Sequence, residues 1–273
     1  MNNKLNATMF TLKKHYFDCI DPQGRVLIAY AAALSVWGVK VPYASVIWQD
    51  ETMHTQERAG LKAAQLGADG RSFHQAALAI QGEWQPLAAA YKAVDLLATA
   101  GFAAEGKQVN WHCHTPHAQA DYVWQGKTYH GLGYAETLTL TLEPWRLPLD
   151  TLYWGRFLSS SYSLVWLEWR GAYPMRLLYI NGRVYRDFVL DKDALCLPQV
   201  GIRLVFTQPM VLKDEPLLAL AERFTVLNKW FSQDFLNTRE MKWKSEAVLS
   251  LPDGRQETGW ALYEKVIWQG DKK

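Results

Sequence analysis

Residues 131–145 read GLGYAETLTLTLEPW, and this stretch decides the predicted fold. From Tyr134 onward the residues alternate as they do along a strand, whose side chains point to opposite faces in turn. One face is expected to meet water and carries Ala135, Thr137, Thr139, Thr141 and Glu143. The other face suits a core and carries Tyr134, Glu136, Leu138, Leu140 and Leu142. A carboxyl group on the leucine face is the feature that needs a physical explanation.

Strand signals recur along most of the chain. Short segments rich in β-branched and aromatic residues are bounded by Gly, Pro, Asn and Asp, which is typical of strands joined by turns. Residues 25–38 and 39–50 are separated by little more than Gly38 and predict a hairpin. Asn181 and Gly182 form a strong hairpin signal, because a type I′ turn needs positive φ at both positions. The pattern predicts an all-β sandwich or barrel.

Two segments favour helix instead. Residues 214–231 offer Asp214 as an N-cap, Pro216 in the first turn and apolar residues every three or four positions. This spacing predicts one amphipathic helix in the C-terminal half. Residues 86–106 are rich in Ala and Leu, which favour helix, but predicted strands flank them. Helix and strand both stay open for that segment.

The weakest point between predicted strands is residues 143–150, EPWRLPLD, where two prolines interrupt strand pairing. We therefore predict two domains, residues 1–146 and residues 147–273. No internal repeat is visible in the residues.

The composition limits the class of protein. The chain has 273 residues, 49% of them hydrophobic, which is enough for a large core. A net charge of +2 is too balanced for a nucleic-acid-binding face, so no DNA or RNA partner is predicted. The 13 Trp, 13 Tyr and 10 Phe point either to β-rich packing or to a large apolar cavity for a hydrophobic small molecule.

The cysteine pattern and the first residues of the chain indicate the cellular compartment. Cys19, Cys113 and Cys196 lie far apart and form no CxxC pair, which favours a reducing compartment over disulfides. No signal peptide and no membrane-spanning run is recognised, so a cytoplasmic protein is expected. Peripheral membrane contact and the oligomeric state stay open.

Glu136 has two interpretations. An isolated buried carboxylate is costly, so such a group is either paired or held protonated by a raised pKa. A protonated carboxyl group in an apolar pocket can act as a general acid, and Tyr134 on the same face could donate a hydrogen bond to it. The structural alternative is an ion pair with a core arginine such as Arg156.

A second polar cluster is NWHCHTPHAQ, residues 110–119. His112 and His114 share one strand face, and Glu136 could complete a site of two histidines and one carboxylate. A histidine that positions water is the alternative, and no bound metal is predicted. Nothing in the sequence fixes a base beside Cys113, which argues against a nucleophile. No phosphate-binding or dinucleotide-binding motif is present, so no cofactor is predicted.

Several motifs resemble those of the carotenoid 1,2-hydratase (hydroxyneurosporene synthase)-like family. KHYFDCIDPQGRVLIAY (14–30) is similar to the N-terminal pattern of that family, and VNWHCHTPHAQADY (109–122), GLGYAE (131–136) and LYWGRF (152–157) follow in the same order. The segments 241–250 and 259–268 are similar as well. The wider group includes tocopherol cyclase-like and pericyclase-like enzymes. The resemblance implies two packed, lipocalin-like antiparallel β-barrels with an apolar cavity.

The resemblance also implies site residues. In the hydratases the acidic residue of the Gly-x-Gly-Tyr-x-acid element is proposed to protonate a C=C bond, a role that would fall here to Glu136. This chain carries Glu where Asp is typical. The catalytic candidates are Glu136, Tyr134 and His112. The substrate-binding candidates come from the neighbouring elements and are Trp111, His114, Trp154, Arg156 and Phe157.

Three functions are therefore predicted as alternatives. The first is an enzyme in which Glu136 starts hydration, cyclisation or isomerisation of an isoprenoid- or lipid-like molecule held in a barrel cavity. The second is a non-catalytic carrier or sensor of an apolar ligand, and the third is a metal-dependent enzyme using His112, His114 and Glu136. Glu136 unpaired in a cavity favours the first, whereas an ion pair with Arg156 favours the second.

Overall fold

The computed structural model describes residues 10–219 and 233–269, and most of them form two curled antiparallel sheets of ten strands each. Sheet 1 contains β1 (Phe10–Ile20), β2 (Val26–Val36), β3 (Val39–Gln49), β4 (Thr55–Gly60), β5 (Gln65–Leu66), β6 (Ser72–Gln75), β7 (Ile80–Pro86), β8 (Val94–Asp95), β9 (Val109–Trp124) and β10 (Lys127–Leu140). Sheet 2 contains β11 (Thr151–Leu158), β12 (Ser163–Arg170), β13 (Met175–Ile180), β14 (Arg183–Tyr185), β15 (Val189–Leu190), β16 (Ala194–Leu197), β17 (Ile202–Phe206), β18 (Met210–Pro216), β19 (Arg239–Ser250) and β20 (Gln256–Ile267).

The two sheets have the same topology. In sheet 1 the strands follow the order β4-β3-β2-β1-β10-β9-β7-β6-β5, and β8 also pairs with β9. In sheet 2 the order is β14-β13-β12-β11-β20-β19-β17-β16-β15, and β18 also pairs with β19. The fold is therefore a structural repeat that the residues do not reveal, because a strand position needs only the right polarity and size.

Helical structure is scarce in the described residues. Two four-residue helices are present, α1 (Leu96–Thr99) and α2 (Gln233–Leu236). Three single 3₁₀ turns cover Ala76–Leu78, Pro144–Arg146 and Pro198–Val200. No helix in this part of the chain has the length and apolarity that a membrane crossing requires.

Three separate cores stabilise this arrangement. Because side chains alternate along each strand, every sheet has one face turned into its own curl and one face turned outward. Phe17, Ala29 and Trp84 belong to the core inside sheet 1, and Phe157 and Trp166 belong to the core inside sheet 2. The third core holds side chains of both sheets and joins them, including Tyr16, Ile28, Tyr134, Trp154, Leu167 and Leu262.

The all-β prediction and the predicted hairpins are confirmed. β2 and β3 form the hairpin expected around Gly38, with full register from Val26 and Gln49 to Val36 and Val39. β13 and β14 are joined at Asn181 and Gly182, whose φ angles are 45° and 84°. Both angles are positive, as a type I′ turn requires.

The predicted start of the amphipathic helix is wrong. Asp214 and Pro216 lie in β18 and are paired with Met241 and Arg239 of β19. Strand pairing therefore overrides the local capping signal. Residues 218 and 219 are helical, whereas most of the remaining predicted helix, residues 220–231, lies outside the described residues.

The undecided segment 86–106 contains mainly irregular structure, with the short strand β8 and the single helical turn α1. The side chain of Asp95 caps that turn by accepting a hydrogen bond from the backbone N–H of Leu97 at 3.0 Å.

One face assignment in the stretch 131–145 is wrong: Ala135, expected to meet water, is fully buried in the core of sheet 1. Both faces of β10 are covered at this point, because the sheet curls over one face and sheet 2 packs on the other.

The predicted boundary between residues 146 and 147 falls within the connection from β10 to β11, residues 141–150. The division into two domains stays a prediction.

Candidate active site

An apolar cavity of about 350 Å³ lies between the two sheets and has Glu136 in its wall. Sheet 1 contributes Leu12, Leu34, Ile47, Trp111, Leu138 and Leu140, and sheet 2 contributes Leu152, Trp154, Leu167, Trp169 and Val266. The volume is near the lower end of the range of about 300–1,000 Å³ that small-molecule pockets span. The cavity was expected inside a barrel; instead the outer faces of both sheets enclose it.

Three side chains donate hydrogen bonds to one oxygen of Glu136. Oε2 accepts from Trp111 Nε1 at 2.5 Å, from the Tyr134 hydroxyl at 2.6 Å and from Trp154 Nε1 at 3.2 Å. Trp111 comes from β9, Tyr134 from the same strand as Glu136, and Trp154 from sheet 2. Docking of the two sheets therefore completes the site.

The second carboxyl oxygen faces the cavity. Oε1 accepts no hydrogen bond from the described residues. It is also not among the fully buried polar atoms that lack a hydrogen-bond partner, so it is accessible at the cavity. Because the three donors occupy Oε2, a proton on Glu136 belongs on Oε1, where it can reach a ligand.

Burial raises the pKa of Glu136 above its ordinary value, because the charged form loses its hydration. The hydrogen bonds from Tyr134, Trp111 and Trp154 and the charge of Lys14 oppose that shift without cancelling it. Burial thus shifts Glu136 toward its neutral form, and the three donors are in place for the carboxylate that forms when the proton leaves.

Arg156 does not pair with Glu136. Its guanidinium binds Asp18 of sheet 1, with Nη2 at 2.7 Å and Nε at 3.1 Å from Oδ1, and both side chains are fully buried. Nη1 also donates to the carbonyl of Trp260 at 2.8 Å. Arg156 therefore ties the two sheets together, and it is not part of the cavity wall. The predicted ion pair between Glu136 and Arg156 is therefore wrong.

Among the described residues, neither histidine candidate bonds to the carboxyl group of Glu136. His112 is opposite Thr137 on β10, on the strand face that points away from the cavity, and the rings of His112 and His114 are 5.9 Å apart. The predicted placement of either histidine beside the carboxyl group of Glu136 is wrong, because a strand sends neighbouring side chains to opposite faces. Residues 10–219 and 233–269 contain no cluster of three His, Cys, Asp or Glu suited to a metal ion. The three residues of the metal hypothesis are therefore not brought together.

Phe157 is also displaced from the predicted site, since it is buried in the core inside sheet 2.

The sequence did not predict the polar end of the cavity, which is formed by Lys14, Ser45, Glu57, Lys213, Glu240 and Glu264. A signal for Lys14 exists, because it shares a strand face with Phe10, Leu12 and Tyr16 just as Glu136 shares one with leucines. No comparable sequence pattern identifies the other charged residues of the cavity, which come together only when the strands pair and the sheets pack.

The fold and the cavity together define the class: an all-β protein of two packed, curled sheets with a buried acid in the apolar space between them. By sequence, no family model and no curated protein matches the chain. By structure, the chain is similar to the protein CghA, with 12% identity, a TM-score of 0.54 and coverage of 97% of this chain and 90% of that one. CghA is also known in a structure with Sch210972.

A Nitrosomonas europaea protein assigned as AttH matches with 11% identity and a TM-score of 0.54, covering 94% of this chain and 92% of that chain. Kievitone hydratase from Nectria haematococca matches more weakly, with 10% identity, a TM-score of 0.47 and coverage of 95% and 89%. The first two likenesses show that the chain shares its fold with those two proteins, in agreement with the two packed antiparallel sheets that the resemblance implies.

Tyr134→Phe is expected to raise the pKa of Glu136 further. The substitution removes a donor that stabilises the carboxylate and leaves the ring in place. Infrared titration of the Glu136 carboxyl band in both proteins measures the shift. Tyr129→Phe is the matched control, since Tyr129 is a buried tyrosine of the same strand packed in the core inside sheet 1. Equal pKa values in the wild type and Tyr134→Phe would contradict the proposed role of this hydrogen bond.

His114 is expected to make the fold acid-sensitive. Burial lowers the pKa of His114 from 6.5 to about 4, and Nε2 of this residue is buried without a partner among the described residues. Between these two values the unfolded chain binds more protons than the folded one, so the free energy of unfolding falls as the pH drops from 6.5 to about 4.

The loss attributable to His114 is at most about 3 kcal/mol, and urea unfolding across this pH range measures it. His114→Gln should flatten the dependence. His130→Gln should not, because the side chain of His130 is 65% exposed. Identical slopes in all three proteins would exclude His114 as the source.

Proposed function

We propose that this protein binds an elongated apolar small molecule between its two sheets and that Glu136 protonates a C=C bond of that molecule. The observation that carries the proposal is the state of Glu136. It is buried in the wall of an apolar cavity, with three donors on Oε2, no ion pair to Arg156 and Oε1 turned to the ligand space.

The chemical step is an electrophilic addition. The Oε1–H bond breaks and its proton forms a C–H bond at one alkene carbon, so that the other carbon becomes a cation and Glu136 a carboxylate. Trp111, Tyr134 and Trp154 stabilise the new negative charge through Oε2. The rings of Trp111 and Trp154 also line the cavity, where an aromatic face stabilises a nearby cation.

The cation has three fates that conserve atoms. Addition of water, with loss of a proton, gives a hydrated product. Attack by a second double bond of the same molecule closes a ring and moves the cation to another carbon, which then loses a proton or adds water. Direct loss of a neighbouring proton from the first cation gives an isomerised alkene. In each case Glu136 recovers a proton from the product or from solvent, so the cycle needs no cofactor.

The experiment uses D₂O, because Glu136 exchanges its acidic hydrogen with solvent. Purified protein is incubated with farnesol or with farnesoic acid, and mass spectrometry follows deuterium bound to carbon in the recovered molecules. We expect carbon-bound deuterium with wild-type protein and none above background with Glu136→Gln. Binding of either probe without deuterium incorporation would favour the carrier function over the enzyme.

A further inference from the structure

The cavity has a charged end that the proposed acid chemistry does not explain. Three lysines meet there: Lys14, Lys213 and Lys242. Lys213 Nζ lies 3.4 Å from Glu57 and 3.6 Å from Glu240. Lys242 Nζ lies 2.9 Å from Glu240 and also forms an ion pair with Glu264. The three glutamates of this end are therefore all engaged by two of the three lysines.

Of these three lysines, Lys14 is the one that forms no ion pair in the described part of the chain. It lines the cavity and makes no ion pair and no hydrogen bond within residues 10–219 and 233–269. Its Nζ lies over the ring of Tyr30, 5.3 Å from the ring centre, and Lys242 Nζ lies 5.7 Å from the same ring. A cation held only by an aromatic face retains its capacity to bind an anion.

Lys14 and Glu136 are close enough to act on one ligand. Lys14 is opposite Leu138 in the pairing of β1 with β10, and the next residue of β1 on that face, Tyr16, is opposite Glu136. Lys14 and Glu136 are thus diagonal neighbours on one sheet face, roughly 7–8 Å apart at their backbones. Both side chains line the same cavity.

The ion pairs at this end are unevenly distributed among the three lysines. Lys213 and Lys242 contact Glu57, Glu240 and Glu264 directly. Lys14 acts on Glu240 and Glu136 only through its charge at longer range, without an ion pair among the described residues. A cation without a direct carboxylate contact at an apolar cavity is costly, and an anionic group of a ligand would supply that contact.

We propose that Lys14 binds an anionic group of the ligand, so that the cavity takes an elongated apolar molecule that carries a carboxylate or a comparable anion. This inference rests on the proposed ligand-binding function and assigns the substrate class. A ligand anion near Glu136 would also disfavour ionisation of the acid before it transfers its proton, because like charges repel.

The test compares decanoate with decan-1-ol, two probes of equal chain length that differ in charge at neutral pH. Isothermal titration calorimetry is carried out on the wild type, Lys14→Met, Lys14→Arg and Lys13→Met. Lys13 is the matched control, because it is the adjacent lysine and is exposed on the opposite strand face. The wild type should bind decanoate at least about 10-fold more tightly than decan-1-ol.

Lys14→Met should remove this preference and keep the affinity for decan-1-ol, whereas Lys14→Arg and Lys13→Met should retain it. Equal affinity of the wild type for both probes, or an undiminished preference in Lys14→Met, would overturn the assignment of Lys14 while leaving the apolar site intact. Failure of the wild type to bind either probe would count against the ligand-binding function itself and against this inference with it.

Discussion

Glu136→Gln is expected to lower turnover by about 10²–10⁴-fold, the usual contribution of a general acid. The assay is deuterium incorporation into carbon from D₂O, followed over time. The amide keeps the shape of the side chain but cannot donate an acidic proton to an alkene. An effect on the rate of the chemical step with little change in binding is the signature of a group that acts in the transition state.

Ligand binding should survive the substitution for a geometric reason. The amide oxygen of Gln can take the place of Oε2 and accept the hydrogen bonds from Trp111, Tyr134 and Trp154. The amide NH₂ then occupies the position of Oε1 at the cavity. Undiminished deuterium incorporation in Glu136→Gln would reject Glu136 as the acid.

Stability gives a second readout of the same variant. Because burial raises the pKa of Glu136 in the folded state, the folded protein binds more protons than the unfolded chain above the ordinary value of 4.5. Wild-type stability therefore contains a penalty that grows as the pH rises from 4.5 through the raised folded pKa. Glu136→Gln lacks this penalty, so its advantage in free energy of unfolding should increase with pH over that window. A constant difference across the window would show that burial does not hold Glu136 protonated.

Arg156→Met is expected to lower the free energy of unfolding by about 3–5 kcal/mol, because it leaves Asp18 buried between the sheets without its cation. If Asp18 responds by taking up a proton at pH 7, that step alone costs about 4 kcal/mol. Urea unfolding at pH 7 measures the loss.

Two further variants separate the ion pair from general effects of substitution. Asp18→Leu combined with Arg156→Met removes both charges, so it should recover much of the stability lost in the single variant. Arg203→Met removes an exposed arginine of sheet 2 and should stay within about 0.5 kcal/mol of the wild type. A single-variant loss no larger than that of the Arg203 control would mean that the pair contributes nothing to stability.

The sequence alone determined the local structure of most segments. Alternation along residues 134–142 places Tyr134, Glu136 and Leu138 on one strand face, and that face does turn to the cavity. The Asn181–Gly182 turn follows from backbone geometry, since only a few residue types accept positive φ at both positions. These features depend on neighbours within a few residues, which the sequence states directly. The prediction that Glu136 is a functional residue also depends on local sequence, because it rests on the leucines that share its strand face.

Only the tertiary structure decided what surrounds those residues. Asp214 and Pro216 carry a helix-start signal, but pairing with β19 places them in a strand. Trp154 reaches Glu136 and Arg156 reaches Asp18 only because sheet 2 packs against sheet 1, across sequence separations of 18 and 138 residues. Alternation fixes which side chains share a face but not what that face meets. The partner of a buried charge is set by strand pairing and sheet packing, and these bring together residues whose distance along the chain carries no signal.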